Sequence, residues 1–154
     1  MKKASLICWV VASDGGRARI FSMTREPATF VEVQELVSHS QHQTNRELTS
    51  DASGRIANVK GGHSSHAMEP RSNAHDLAEE AFANRLVKKL EQAADKDLFE
   101  SLVIFADPRT LGHLRQLMSK RLAARIAREV NRDLVGISPD ALEQRVRAEL
   151  GWTD

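Results

Sequence analysis

Residues 6–22 read LICWVVASDGGRARIFS, and the pattern of this stretch indicates how the fold begins. Residues 6–12 form an almost continuous apolar run, rich in β-branched and aromatic side chains, which predicts a strand buried on both faces. Residues 13–16 (Ser-Asp-Gly-Gly) are turn residues that tolerate positive φ. Residues 17–22 then alternate polar and apolar side chains, as the returning strand of a hairpin does.

Further β segments and helix starts follow along the chain. Residues 30–37 repeat the period of two, which predicts a third antiparallel strand. Residues 102–106 are an apolar run typical of a buried strand, and residues 125–130 favour an edge strand. Asp-Pro at 107–108 and Ser-Pro at 138–139 are signals for the start of a helix. The order βββ–loop–αβαβα predicts an α/β fold whose mixed β-sheet begins as a meander.

The longest predicted helix begins at Asn73, a candidate N-cap, and ends near Asp95. Apolar residues recur in it at the spacing of one helix face: Leu77, Ala78, Ala81, Phe82, Leu86, Leu90 and Ala93. The charged residues predicted to face outward are Glu79, Glu80, Arg85, Lys88 and Lys89. We therefore expect the apolar face of this helix to pack on the sheet.

Length and composition exclude several classes of protein. A chain of 154 residues predicts a single domain spanning residues 1–154. A formal charge of +1 gives no overall basicity of the kind that marks nucleic-acid or membrane binders. The single cysteine, Cys8, excludes an intramolecular disulfide framework and is expected to be a buried small hydrophobe. With no membrane-length apolar run and no signal-peptide pattern, we expect a cytoplasmic protein that makes no membrane contact.

Residues 38–72 differ from the rest, because they are polar and have no sustained apolar period. Such a length predicts a long flexible loop, and loops of this size in compact domains are usually functional or disordered. Histidines that could ligate zinc concentrate in and beside this stretch: His39, His42, His63, His66 and His75. Because cysteine is absent there and a flexible loop does not preorganise a site, we predict neither a metal nor a cofactor.

Two carboxylates and a group of basic residues allow alternative interpretations. Asp14 and Asp107 follow predicted strands, where they could hold a metal ion as in nucleases. An Asx turn and a helix N-cap explain the same two residues without any function. The late basic residues are Arg115, Lys120, Arg121, Arg125, Arg128 and Arg132. They favour a solvated helix face, with an RNA or ribosome contact as the alternative. The position of Trp152, core or surface, is left open.

Several motifs together resemble the bacterial host attachment protein family, which is named for a role in attachment to host cells. The matching segments are WVVASDGGRARIF (9–21), DASGRIANVKGGHSSHAMEP (51–70), NAHDLAEEAFANRLVKKLEQA (73–93), FESLVIFADPRTLGHLRQLMS (99–119) and EVNRDLVGISPDALEQRV (129–146). They cover almost the whole chain in order. The resemblance implies membership of this family.

That family in turn is similar to the middle domain of archaeal and eukaryotic peptide-chain release factors. In those proteins a Gly-Gly-Gln loop before a long helix promotes peptidyl-tRNA hydrolysis on the ribosome. The corresponding residues here are Gly61, Gly62 and His63, so histidine stands in place of the glutamine. The release-factor domains that read the stop codon have no counterpart in this sequence. The resemblance therefore implies rescue of stalled peptidyl-tRNA rather than termination at a stop codon.

The residue chemistry is compatible with that implication. Paired glycines allow close backbone approach, their N–H groups can stabilise an oxyanion, and His63 can orient water or exchange a proton. The basic residues around them, expected to contact phosphates of a ribosome or tRNA, are Arg46, Arg55, Lys60 and Arg71. No aromatic residue for base stacking lies between Arg46 and Arg71. The alternative is a non-enzymatic cytoplasmic protein-interaction module linked indirectly to host attachment, and whether the protein is an enzyme stays open.

Overall fold

The computed structural model describes residues 6–39 and 64–152, and within residues 64–73 it describes the helix without the side chains. In this part of the chain one sheet contains β1 (Ile7–Ser13), β2 (Arg17–Thr24), β3 (Thr29–Val37), β4 (Ser101–Ala106) and β5 (Ile126–Asn131). The helices described are α1 (Ser64–Asp95), α2 (Pro108–Leu117), α3 (Lys120–Ala123) and α4 (Pro139–Leu150).

The sheet is mixed, and its strand order is β3-β2-β1-β4-β5. The first three strands are an antiparallel meander, whereas β4 and β5 run parallel to β1. The predicted α/β class with a mixed sheet that begins as a meander is therefore confirmed. Since β1 lies between β2 and β4 and helices cover both faces, Val10, Val11 and Ala12 are fully buried, as the apolar run of this strand predicts.

Helices cover the sheet on both faces and enclose two hydrophobic clusters. On one side α1, α2 and α3 pack on the sheet; the larger members of this cluster are Trp9, Ile20, Phe82, Leu86, Leu90, Phe99, Ile104, Leu114 and Leu122. On the other side α4 packs on it; that cluster includes Val10, Phe21, Met23, Val103, Phe105, Leu142 and Val146. Successive side chains along each strand point to opposite faces of the sheet and therefore contribute to the two clusters in turn. The helices and the sheet together form a three-layer α/β/α arrangement.

Helix α1 ends at Asp95 as predicted, but it begins at Ser64, well before the predicted N-cap at Asn73. The predicted loop at residues 38–72 is therefore wrong for residues 64–72, and residues 40–63 lie outside the described part of the chain. The sequence of the first turns has no apolar stripe, and Pro70 lacks an N–H, so both signals favoured a later start. In the described side chains, burial against the core begins at Phe82.

Local start signals correctly predicted where α2 and α4 begin. Asp107 caps α2 by accepting from the Thr110 N–H, and Ser138 caps α4 by accepting from the Ala141 N–H. Gly151 ends α4 with a φ of 71°, the left-handed conformation that favours glycine at this position. The four-residue helix α3, capped by Ser119, was not predicted, because so short an element shows no periodicity.

Candidate functional site

The carboxyl ends of the parallel strands β1 and β4 lie side by side, which is where ligand crevices form in open α/β sheets. Asp14 directly follows β1, and Asp107 directly follows β4. Because β3 runs parallel to β1, with β2 between them, its carboxyl end lies at the same edge. The Ser38 N–H, just after β3, donates to the Gly16 carbonyl over 2.7 Å. The two predicted carboxylates, Asp14 and Asp107, therefore lie at the same edge of the sheet.

The carboxylates of Asp14 and Asp107 are engaged in local backbone structure. Asp14 Oδ1 accepts from the N–H groups of Gly16 (2.9 Å) and Arg17 (2.8 Å), which is an Asx turn. Asp107 accepts from the N–H of Thr110 (3.2 Å) and from its hydroxyl (2.7 Å). The turn and N-cap interpretations are therefore confirmed. Among the described residues, no group of three or more His, Cys, Asp or Glu side chains could hold a metal ion.

Glu79 of α1 connects three elements at this edge, and sequence reasoning missed it. Its Oε1 lies 2.9 Å from Nε of Arg109, which follows β4, and its Oε2 lies 3.2 Å from Nε2 of His75. Arg109 also pairs with Asp76. The same Glu79 carboxylate packs against Gly15 in the β1–β2 turn. The only sequence signal for this cluster was the position of Glu79, three residues after Asp76 and four after His75, which puts the three side chains on neighbouring parts of one helix.

The predicted orientation of α1 was therefore wrong in its first described turns. Glu79 was expected to face outward, but its side chain is only 18% exposed. Leu77 was expected to face the core, but it is 63% exposed. The sequence periodicity predicted that Leu77 faces the core, because Leu77 lies at helical spacing from residues that are buried further along α1. The contact between Glu79 and the β1–β2 turn shows that the side of α1 that carries Glu79 meets the sheet in this part of the helix.

This cluster contains two carboxylates, one guanidinium and one imidazole within contact distance, so its formal charge is −1 with the imidazole neutral. Such a set has no excess positive charge that would attract a phosphate. Its evident chemical role is to tie α1, the β1–β2 turn and the start of α2 together. His75 is the most exposed member, with 73% of its side chain accessible.

None of the residues predicted to act on peptidyl-tRNA has a described side chain. Gly61, Gly62 and His63 lie outside the described residues, as do the predicted phosphate contacts Arg46, Arg55 and Lys60. Arg71 is part of α1, but its side chain is not described. The side chains of the histidines considered as zinc ligands, His42, His63 and His66, are not described either. These site assignments therefore stay predictions.

The late basic residues are largely engaged with neighbours. Arg115 pairs with Glu129, Arg121 with Asp95 and Arg125 with Asp97. Arg128 Nε donates to the Glu149 carbonyl. Within residues 74–152, only Lys120 and Arg132 of the six predicted residues lack such a partner. The solvated-face interpretation fits this pairing better than a dedicated RNA-binding surface does.

Cys8 and the two tryptophans have structural surroundings. Cys8 is buried in β1, and burial raises the pKa of its thiol, which disfavours the thiolate that a nucleophile needs. Trp9 belongs to the core and stacks on Phe99 with ring centroids 5.0 Å apart. Trp152 is half-buried against the α4 side of the core, with the Arg147 guanidinium 5.9 Å from its ring.

The fold and this edge define a three-layer α/β domain, and comparison with known proteins assigns it to a family. A family model described as "Protein required for attachment to host cells" matches residues 9–146, so the chain belongs to that family. The chain is also similar to an uncharacterized protein of Rickettsia prowazekii (strain Madrid E), with 32% identity over 82 residues. That alignment covers 52% of this chain and 55% of the relative, so the chain spans about half the length of this curated relative.

The described residues contain no helix that is long and apolar enough to cross a membrane.

Proposed function

We propose that this protein binds ribosomes or structured RNA and promotes release of stalled peptidyl-tRNA through residues 55–71. The observation that carries the proposal is the position of α1. Helix α1 meets the sheet edge at Glu79, and residues 64–78 precede that contact, about 22 Å of helix at 1.5 Å per residue. His63 is bonded directly to the first residue of this helix. A long helix that begins just after Gly-Gly is also the arrangement in the release-factor middle domain that the sequence resembles.

The proposed chemistry is hydrolysis of the ester between peptide and tRNA. Water attacks the ester carbonyl carbon, the bond to the ribose oxygen breaks, and the proton from water ends on that oxygen. Backbone N–H groups at Gly61 and Gly62 would stabilise the negative charge that develops on the carbonyl oxygen. His63 would orient the attacking water. Arg46, Arg55, Lys60 and Arg71 would hold phosphates, which gives binding that weakens with salt.

A peptide-release assay on stalled ribosome complexes tests this chemistry. Wild type is expected to release peptide faster than the background rate. Gly62→Ala should abolish release because a β-carbon blocks close approach, whereas His63→Gln should keep or raise it. Gly136→Ala is the matched control, since a β-carbon at Gly136 meets no atom within 4 Å. Equal release by wild type, Gly62→Ala and His63→Gln would refute the mechanism.

A second candidate function is a non-enzymatic protein-interaction module that acts indirectly in host attachment. The family description supports a role in attachment, and the edge strand β3 supports protein binding. Val31 and Val33 on β3 are 60% and 48% exposed. No further strand among the described residues pairs with the outer edge of β3, and such edges can accept a strand from a partner. Binding that changes little with ionic strength would favour this candidate.

A further inference from the structure

A cleft of about 370 Å³ lies between α1 and α2, and its lining includes none of the residues of the cluster around Glu79. The residues that line it are Leu77, Glu80, Ala81, Asn84, His113, Gln116 and Leu117. Two of its leucines are exposed, Leu77 by 63% and Leu117 by 40%. Nε2 of His113 is buried and has no hydrogen-bond partner among the described residues. The cleft therefore combines exposed apolar surface with a buried hydrogen-bonding group.

Two opposite charges on this side of α1, Glu80 and Lys88, lie at equal distances along the helix from Asn84. Glu80 precedes Asn84 by one helical turn, and Lys88 follows Asn84 by one turn. All three residues are exposed, and within the described part of the chain neither Glu80 nor Lys88 has an ion-pair partner. An antiparallel copy of α1, related by a two-fold axis at Asn84, would place Glu80 of each copy opposite Lys88 of the other. Such an interface is self-complementary, as a two-fold interface requires.

We infer that the occupant is a second copy of this chain, which docks its α1 over the cleft about a two-fold axis at Asn84. Two Glu80–Lys88 pairs then form between the copies. The Asn84 amides meet at the axis, where they supply hydrogen-bonding groups near the cleft. Ala81, beside Asn84, is small enough for the helices to approach closely. This inference does not depend on the proposed ribosomal function, since it uses residues 80–88 of α1 and none of residues 55–71.

The size of the face predicts a weak dimer. Residues 74–95 of α1 span about 33 Å and α2 spans about 15 Å, and each helix is about 10 Å wide, so each copy presents roughly 500 Å². Stable complexes bury about 800 Å² on each partner. We therefore expect reversible association in the micromolar range rather than an obligate dimer.

Sedimentation velocity over a range of concentrations, with charge-swapped variants, tests this inference. Wild type should shift from monomer to dimer as concentration rises. Glu80→Lys alone and Lys88→Glu alone should each stay monomeric, because each places like charges opposite one another. An equimolar mixture of the two variants should dimerise again, because every pair across the axis is then complementary. The double variant Glu80→Lys/Lys88→Glu should also dimerise.

The control is Lys89→Glu, which changes an exposed charge of α1 that takes no part in the proposed Glu80–Lys88 pairs. It should associate like wild type. A wild type that stays monomeric up to about 1 mM, a concentration that populates dimers of micromolar affinity, would overturn the inference. Failure of both the mixture and the double variant to restore association would overturn it as well.

Discussion

The backbone of Gly15 lies directly against the carboxylate of Glu79: a β-carbon built on Gly15 would be 2.6 Å from Glu79 Oε2. Real β-carbons do not approach other atoms so closely, so only glycine fits here without a shift. The contact joins the β1–β2 turn to α1 at the carboxyl edge of the sheet. Arg109 and His75 contact the same carboxylate.

Gly15→Ala is therefore expected to destabilise the fold by about 0–1 kcal/mol, because the Glu79 carboxylate must move away from Arg109 and His75, and pairs with such exposed partners contribute little. Urea unfolding of wild type and variant measures this difference. Gly112→Ala is the control: a β-carbon there meets nothing within 4 Å, and alanine within α2 should stabilise by about 0.5–1 kcal/mol. Adding Glu79→Ala should make Gly15→Ala nearly neutral. An equal cost of Gly15→Ala with and without Glu79 would contradict this account.

Arg19 is expected to matter more for stability than Arg17, although both pair with glutamates on β3. The Arg19 side chain is 11% exposed; it binds Glu32 through two nitrogens and donates to the Ile137 carbonyl over 2.9 Å. The hydrogen bond to Glu32 raises its pKa further, so it stays charged. Arg19→Ala should cost about 1–2 kcal/mol, because the Ile137 carbonyl and the Glu32 carboxylate both lose a well-buried donor.

Arg17→Ala is the matched control for that experiment. The Arg17–Glu35 pair is about 40% exposed on both sides, and such surface pairs contribute about 0–1 kcal/mol. Chemical unfolding of the two variants gives the comparison. Equal losses would show that the contact between Arg19 and the segment before α4 contributes nothing.

The strands and most helix starts could be predicted from sequence because their signals are local. An apolar run gives β1, and the Asp-Pro and Ser-Pro pairs mark the starts of α2 and α4. The orientation of the first described turns of α1 was predicted wrongly, because a tertiary contact decides which side of a helix meets the sheet. In α1 that contact is made by Glu79 and Gly15, which are distant in sequence.

The candidate site was less predictable than the fold for a similar reason. The roles of Asp14 and Asp107 follow from neighbours within three residues, so local rules identified them. The cluster of Glu79, Arg109 and His75 joins α1 to the first turn of α2, and no local sequence pattern predicts a pairing between residues so far apart in the chain. Arg121 and Asp95 likewise lie far apart in the sequence.

The thiol of Cys8 should make stability depend on alkaline pH. Burial raises its pKa above that of the unfolded chain, about 8.5, despite a hydrogen bond with Ser101 that acts in the opposite direction. Above that pH the unfolded chain loses the thiol proton while the folded chain keeps it, so the unfolded state is favoured. The free energy of unfolding of wild type should fall relative to Cys8→Ala between pH 8 and 10. A constant difference between the two proteins over this range would contradict the prediction.

The central claim, that the protein acts on ribosomes, is tested most directly by co-sedimentation with ribosomes from the same cells at low and moderate salt. The account predicts saturable binding that weakens with salt and is lost when Arg55, Lys60 and Arg71 are replaced by glutamine. Replacement of Lys89, Lys96 and Arg145, three exposed cations elsewhere, should leave binding unchanged. Absence of binding at low salt, or equal loss in both triple variants, would contradict the claim and favour the protein-interaction function.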